Sequence, residues 1–449
     1  MTRTKRDAMA LLRDSSRHIR IAVPGIITLL LLVPVALVWA QEQPDAPLAI
    51  ADSGGSLLVS QRRVAIKKGP SRKYKLRGMA VKGTRLPVLA SIRGNDCNAG
   101  VWYRVHDDAW VCGDDVTLVR DTPAAVPQPP MDNSTVTPWP YAFIRDTAIE
   151  YEWSRNGWLE EIREIYKGFG FGVEKRVTVD GARYYRTPEG KYIATSDAVI
   201  SGRISTFRGV SLSRADHWPV GWVNSREAWV YSSPSVSAQN RVRQLVRYDF
   251  FSVLEEVTQG RKRFYRIGED AWVLGQHVRV ATTAPRPRGV LDDERWVDVD
   301  VNQQIATAYV GDVPVYATLV STGRYGGSKT VTGAFRIWVK VAAIAMDNTD
   351  EEEELDTDTG ATSTDTAPAR ERKLYSLQDV PWTQFFHESY AIHAVYWHDR
   401  FGNRKSHGCV NMAPADARWF YEWTAPHVPE GWWSVYSTES DRGTMIRVR

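Results

Sequence analysis

Cysteine is scarce in this chain. Among 449 residues there are three, Cys97, Cys112 and Cys409, so at least one thiol is left over however the others pair. None lies near residue 40, which argues against a lipid-modified N-terminus. Net charge is scarce too. The whole chain carries +4, and residues 1–40 account for all of it, with Arg3, Lys5, Arg6, Arg13, Arg17 and Arg20 against Asp7 and Asp14. The remainder is close to neutral, so the basic sequence pI of the whole gives no support for nucleic-acid binding.

Residues 21–40 have no charge at all. A basic stretch followed by an apolar run that ends in Val38-Trp39-Ala40 reads as an export signal with a cleavage site before Gln41. The other reading is an uncleaved membrane anchor, since 20 apolar residues can just span a bilayer. Either way the rest of the chain is expected outside the cytoplasm, in the periplasm or cell envelope. Oxidising conditions there would let Cys97 and Cys112, which flank a short hairpin-like segment, form a disulfide; two buried thiols are the alternative. The 18 tryptophans fill small β cores or contact a carbohydrate or peptide ligand.

An internal repeat organises the first two thirds. Trp102-Tyr103-Arg104-Val105 leads to Asp108-Ala109-Trp110-Val111, then Gly113 and Val116. Phe264-Tyr265-Arg266-Ile267 leads to Asp270-Ala271-Trp272-Val273, then Gly275 and Val278. A weaker copy between them has Tyr184-Tyr185-Arg186, Gly190, Tyr192-Ile193 and Asp197. Tyr103, Tyr185 and Tyr265 set a period of about 80 residues, one small domain. Each copy reads as strand, tight turn, strand. The pattern resembles bacterial SH3-like modules, small β-barrels found beside cell-wall enzymes. That resemblance implies modules at residues 58–121, 141–203 and 204–280. A proline-rich linker separates the first two at 122–140, and a second linker spans 281–293. Residues 158–167 read as a short helix.

The last domain, residues 294–449, opens with strand-like stretches at 296–301, 305–310 and 314–321. An acidic insertion follows at 347–370, with Asp350, Glu351, Glu352, Glu353, Glu354, Asp356 and Asp358 and no apolar residue but Leu355 in its charged part. Such a segment cannot build a core and reads as a solvated loop. It lacks the glycine-punctuated ligand spacing of a calcium loop.

Four of the nine histidines, His387, His393, His398 and His407, fall within 21 residues, and Cys409 follows the last by two. Thiolate chemistry needs a base for the thiol proton and donors for the oxyanion formed at an attacked carbonyl. Histidine supplies the base, and a glycine before the nucleophile leaves backbone N–H groups unobstructed. The string Arg404-Lys405-Ser406-His407-Gly408-Cys409-Val410-Asn411, with His393 upstream, resembles the signature of the L,D-transpeptidase catalytic domain (YkuD-type). Thr332-Gly333-Ala334-Phe335 is similar to that family's upstream turn, with Val331 where proline is usual, and Asn302-Gln303-Gln304 to its opening strand.

The resemblance implies a mainly β, multi-domain protein, with SH3-like barrels followed by a β-rich transpeptidase domain carrying one or two short helices. Cys409 would be the nucleophile, His393 its base, bonded through the backbone of Ala394, and His407 would line the donor pocket. Gly408 and Cys409 N–H groups would form the oxyanion hole, Ser406 and Asn411 would brace the loop, and Arg404 and Trp397 would bind substrate. The implied reaction joins peptidoglycan stem peptides: Cys409 attacks a tetrapeptide donor, D-alanine leaves, and an amine acceptor makes a 3-3 cross-link. Water as acceptor gives an L,D-carboxypeptidase, and a protein amine gives an anchoring enzyme. No cofactor or metal is implied; other cell-wall proteins are conceivable partners. Two readings stand beside it. His393, His398, His407 and Cys409 are permissible zinc ligands, although their spacing fits no standard zinc pattern. The chain could also be a non-catalytic wall-binding protein.

Overall fold

Alternation of apolar and polar residues turns nearly every described segment into strand. The computed structural model describes residues 55–120, 128–131, 134–202, 204–212, 218–326, 328–347 and 375–449. The expected export segment at 1–40 and the acidic insertion beyond Asp347 lie outside the described residues.

The repeat extends over eight strands. The first unit holds β1 (Ser56–Val59), β2 (Arg63–Lys67), β3 (Leu76–Val81), β4 (Arg85–Pro87), β5 (Ala90–Arg93), β6 (Val101–His106), β7 (Ala109–Cys112) and β8 (Val116–Val119). The second holds β9 (Tyr141–Ile144), β10 (Thr147–Trp153), β11 (Leu159–Tyr166), β12 (Phe169–Gly172), β13 (Lys175–Val179), β14 (Ala182–Arg186), β15 (Lys191–Ala194) and β16 (Ala198–Ile200). After an isolated β17 (Val210–Ser211), the third holds β18 (Val220–Val223), β19 (Glu227–Tyr231), β20 (Arg241–Val246), β21 (Phe250–Ser252), β22 (Glu255–Gln259), β23 (Lys262–Gly268), β24 (Ala271–Leu274) and β25 (Val278–Ala281).

In every unit the first strand pairs with the fourth and eighth. The second pairs with the third and seventh. The sixth lies between the fifth and the seventh. The repeated residues sit on the sixth and seventh strands, and Tyr185 and Tyr265 are buried in their units' cores.

Among the described residues no closed SH3-like barrel is found: the strands of each unit fall into a set of three and a set of five that do not pair with each other. Residues 158–167 are strand rather than helix: β11 pairs along β10 across a turn at Gly157. Glu160, Glu161 and Glu164 line an exposed edge strand.

The last domain consists of β26 (Arg295–Asp300), β27 (Ile305–Val310), β28 (Val313–Leu319), β29 (Gly333–Arg336), β30 (Val339–Asp347), β31 (Ser376–His387), β32 (Tyr390–Ala394), β33 (Val410–Met412), β34 (Trp432–Tyr436) and β35 (Met445–Val448). Among the described residues α1 (Pro414–Trp423) is the one α-helix. Its core lies between the sheet β17-β28-β27-β26-β35-β29 and the strands β30 to β33, where Val297, Val299, Trp382, Phe386, Ile392, Val410 and Phe420 pack together. Asn302-Gln303-Gln304 is not an opening strand. It forms the turn between β26 and β27, and Gln304 adopts φ +56°.

The repeat units are built into this domain rather than strung before it. Strand β3 pairs with β34, and β12 pairs in parallel with β31, so one sheet runs from the second unit through β31, β30 and β34 into the first. Trp432 and Val435 of β34 are buried in the first unit's core, where a side chain of that size contributes on the order of 2–3 kcal/mol. Ahead of the third unit, Val210 and Ser211 pair with β28, and Phe207 and Leu212 pack with Phe401 and Leu319, because their apolar side chains find a partner on the last domain.

Candidate active site

Parallel pairing of two short strands assembles the site. Strand β32 carries His393 and β33 follows Cys409, with Ile392 opposite Val410 and His393 opposite Asn411. Side chains two apart on a strand share a face, so His393 and the residue adjoining Ala391, which is Cys409, point the same way. The two signature residues are thereby neighbours on adjoining strands.

His393 is 2% exposed, and its Nδ1 lies 2.8 Å from the Ala394 carbonyl oxygen. A carbonyl can only accept, so Nδ1 carries the proton and Nε2 keeps its lone pair. The Trp397 ring stacks on the imidazole at 5.9 Å. Burial pushes the His393 pKa down to about 4. Cys409 is the one free cysteine among the described residues. Its Sγ lies 3.7 Å from the Ser389 carbonyl oxygen. Burial pushes the thiol up to about 11, only partly offset by a hydrogen bond from the Ala391 N–H. The resting pair is therefore neutral thiol and neutral imidazole between about pH 4 and pH 11, and a proton must move when the sulfur attacks.

The loop before Cys409 is set by Ser406 and Gly408. Ser406 Oγ donates to the Cys409 carbonyl oxygen at 2.5 Å and accepts the Gly408 N–H at 3.1 Å. Gly408 has φ +130°, and a Cβ there would meet the Tyr390 ring at 2.9 Å, so glycine is required on both counts. Of the two N–H groups expected in the oxyanion hole, that of Gly408 donates to Ser406 Oγ in this structure.

The other expected residues fall into place around this loop. Asn411 is buried, and its side chain meets His398 Nε2 at 3.2 Å. Arg404 donates to the Gly323 carbonyl oxygen at 3.2 Å and lies over the Tyr325 ring at 4.8 Å, so it braces the loop wall. His407 is exposed and stacks on Tyr375 at 5.0 Å, beside the point where the acidic insertion rejoins β31. Cys97 and Cys112 are bonded to each other in the first unit, away from this site. Among the described residues, no three of His393, His398, His407 and Cys409 bring ligand atoms within metal-binding reach of one another.

Three residues have roles that the sequence reading did not assign. His398 is an integral part of the site: its Nδ1 accepts the Arg400 N–H at 3.3 Å, so Nε2 carries the proton and the Asn411 side-chain oxygen must face it. Its place in the histidine cluster, five residues after His393, was the available signal. Tyr390 walls the nucleophile loop, and it stands three residues before His393. Gln304 binds the Thr322 N–H and hydroxyl, bracing the strand end on which Ser406 rests; nothing in its local sequence marks that role.

Residues 294–447 match the family model of the L,D-transpeptidase catalytic domain, YkuD, and form such a domain. A comparison with curated proteins gives no match. Among solved structures, the chain is similar to a mutant L,D-transpeptidase from Enterococcus faecium at 17% identity, over 36% of this chain and 50% of that one, with a TM-score of 0.25. L,D-transpeptidase 3 from Mycobacterium tuberculosis, holding a faropenem-derived adduct, matches at 16% identity over 49% and 78%, also at 0.25. An L,D-transpeptidase from Mycobacterium smegmatis matches at 15% identity over 62% and 98%, again at 0.25. The chain spans less than two thirds of the length of the first of these relatives. Such likenesses add nothing to the family match, on which the domain assignment rests.

Proposed function

We propose that this protein is an exported L,D-transpeptidase that cross-links peptidoglycan stem peptides, with Cys409 as nucleophile and His393 as base. The observation that carries the reading is the His393 tautomer. The Ala394 carbonyl holds the proton on Nδ1, and Nε2 is left to accept from a thiol on the neighbouring strand.

The chemistry then follows from these groups. Nε2 takes the Cys409 proton as sulfur attacks the carbonyl carbon of the third residue of a tetrapeptide stem. The developing oxyanion meets the Cys409 N–H. The bond to D-alanine breaks, and the imidazolium returns its proton to the leaving amine. A thioester remains. The amine of a second stem attacks it, passes a proton to His393, and expels the sulfur, which recovers the proton. His407, exposed on the loop, faces the donor, Arg404 holds the loop wall beside it, and Trp397 stacks on the base. Water in place of the amine would give L,D-carboxypeptidase action. Other wall proteins, and a membrane tether through residues 1–40, belong to the same proposal.

The test is D-alanine release from purified muropeptides. The full chain should release it from tetrapeptide stems and leave pentapeptides largely intact, and Cys409→Ala should abolish release without unfolding the domain. Consumption of pentapeptides but not tetrapeptides, or full activity in Cys409→Ala, would refute the assignment.

A further inference from the structure

Residues 398–406 link the base strand to the nucleophile loop, and the third repeat unit grips them by their backbone. Arg247 donates to the Phe401 carbonyl oxygen at 3.0 Å, and Arg279 to the Gly402 carbonyl oxygen at 3.0 Å. The Tyr248 hydroxyl accepts the Phe401 N–H at 3.2 Å and donates to Asp399 Oδ1 at 3.1 Å. Asn224 and Asn403 exchange amide hydrogen bonds of 3.2 and 3.1 Å. Gly402 has φ +84°, and a Cβ there would stand 2.3 Å from Asn224 Oδ1, so the loop and the unit are fitted at backbone contact. Tyr248 itself is held at φ +73°, a conformation that costs a non-glycine residue free energy and persists only where its surroundings over-determine it.

The other side of the same loop faces the chemistry. The Arg400 N–H fixes the His398 tautomer, and His398 fixes Asn411, which lies opposite His393. The Arg400 carbonyl accepts from Ser321 Oγ at 3.0 Å, and the Ser406 N–H donates to the Thr322 carbonyl at 3.1 Å. Ser406 in turn holds Gly408 and Cys409. The loop is thus clamped between the third unit and the strand end at residues 320–322, with no free span between clamp and nucleophile.

We propose that the third unit is part of the active site: Arg247, Tyr248 and Arg279 are positioning residues that hold residues 398–406, and through His398 and Ser406 the geometry of the His393–Cys409 pair. This rests on Cys409 and His393 being the reacting pair. The unit acts on the rate of chemistry rather than as a spacer or only a ligand-binding appendage.

The experiment combines hydrogen exchange and kinetics on the full chain, comparing wild type with Arg247→Ala/Arg279→Ala. Exchange of residues 398–409 should speed up by about tenfold while the core strands β26 and β27 keep their protection. The kcat for D-alanine release should fall on the order of tenfold to a hundredfold, with KM nearly unchanged, since misplacement of reacting groups acts on chemistry. Arg279→Lys, which keeps a donor, should fall less than Arg279→Ala. If the double variant does not fold, Tyr248→Phe, which removes one hydroxyl and keeps the ring against Phe207, carries the same readouts. Unchanged exchange with unchanged kcat would overturn the proposal. A uniform loss of protection across the catalytic core would also overturn it, because that marks ordinary stabilisation. Exchange is read without substrate, so a wild-type chain that releases no D-alanine refutes the transpeptidase reading alone, and the clamp is then judged on loop protection.

Discussion

The first and third repeat units share one strand plan and meet the catalytic domain in opposite ways. The first docks by sheet extension, β3 on β34, and by Arg77, which is 3% exposed in its side chain and bridges Asp108 and Asp441. All of these contacts fall on β34 and the segment after it, away from the nucleophile loop. The third docks by side chains that reach the backbone of Phe401 and Gly402 and the side chain of Asp399, next to that loop. Their hairpins differ as well. Strands β22 and β23 are joined by Gly260 and Arg261 alone, with Gly260 at φ +61°, whereas β5 and β6 are joined by residues 94–100. That longer loop is tied down by the Cys97–Cys112 bond and by Asp96, which accepts from Ser71, Arg72 and Trp102. A repeated fold therefore fixes strand order, while edges and loops decide whether a unit stabilises the enzyme or shapes its site.

This contrast can be broken by lesions in the first unit that should cost stability and spare chemistry. The largest is Arg77→Ala, which strands Asp108 and Asp441 around a buried position. A buried pair that loses one partner costs about 3–5 kcal/mol, and these carboxylates are about a third exposed, so the lower end applies. Urea titration should show an earlier transition with kcat unchanged under native conditions; a fall in kcat at full folding would erase the distinction between the units. A smaller effect is expected from Cys97→Ser/Cys112→Ser. A disulfide closing a loop of this length contributes about 3 kcal/mol in the entropic model, reduced here because Asp96 and Asp114 hold the loop without it. Thiol titration of the denatured, unreduced wild type should find one free thiol, and three would remove the bridge from the account.

How much of this the sequence disclosed follows from range. The shared Tyr-Arg pair marks the sixth strand of each unit, and Asp-Ala-Trp-Val the seventh strand of the first and third, because alternation and turn chemistry are local. The other strands of the repeat were less visible, since their side chains answer to partners far along the chain, as β3 does to β34. The segment at residues 158–167, expected as a helix, is instead a strand paired with β10 across a short turn. At the site, His393, Ser406, Gly408 and Cys409 were legible as a motif. The engagement of the Gly408 N–H by Ser406 was not, because it depends on loop geometry. Nor was the reach of Arg247 and Arg279 to Phe401 and Gly402, which spans more than 120 residues of chain.

The most direct measurement is the mass of the enzyme caught in mid-reaction. The full chain, incubated briefly with a tetrapeptide muropeptide, quenched in acid and digested, should carry an adduct on the peptide containing Cys409. The mass of that peptide should rise by the mass of the donor less that of D-alanine, since the thiol hydrogen leaves with the released amine, as a thioester requires. The adduct should be absent from Cys409→Ala. It should form much more slowly in His393→Ala, where no base takes the proton from a thiol whose pKa burial raises to about 11. D-alanine released with no adduct on Cys409, or an adduct of the same mass in Cys409→Ala, would contradict the account.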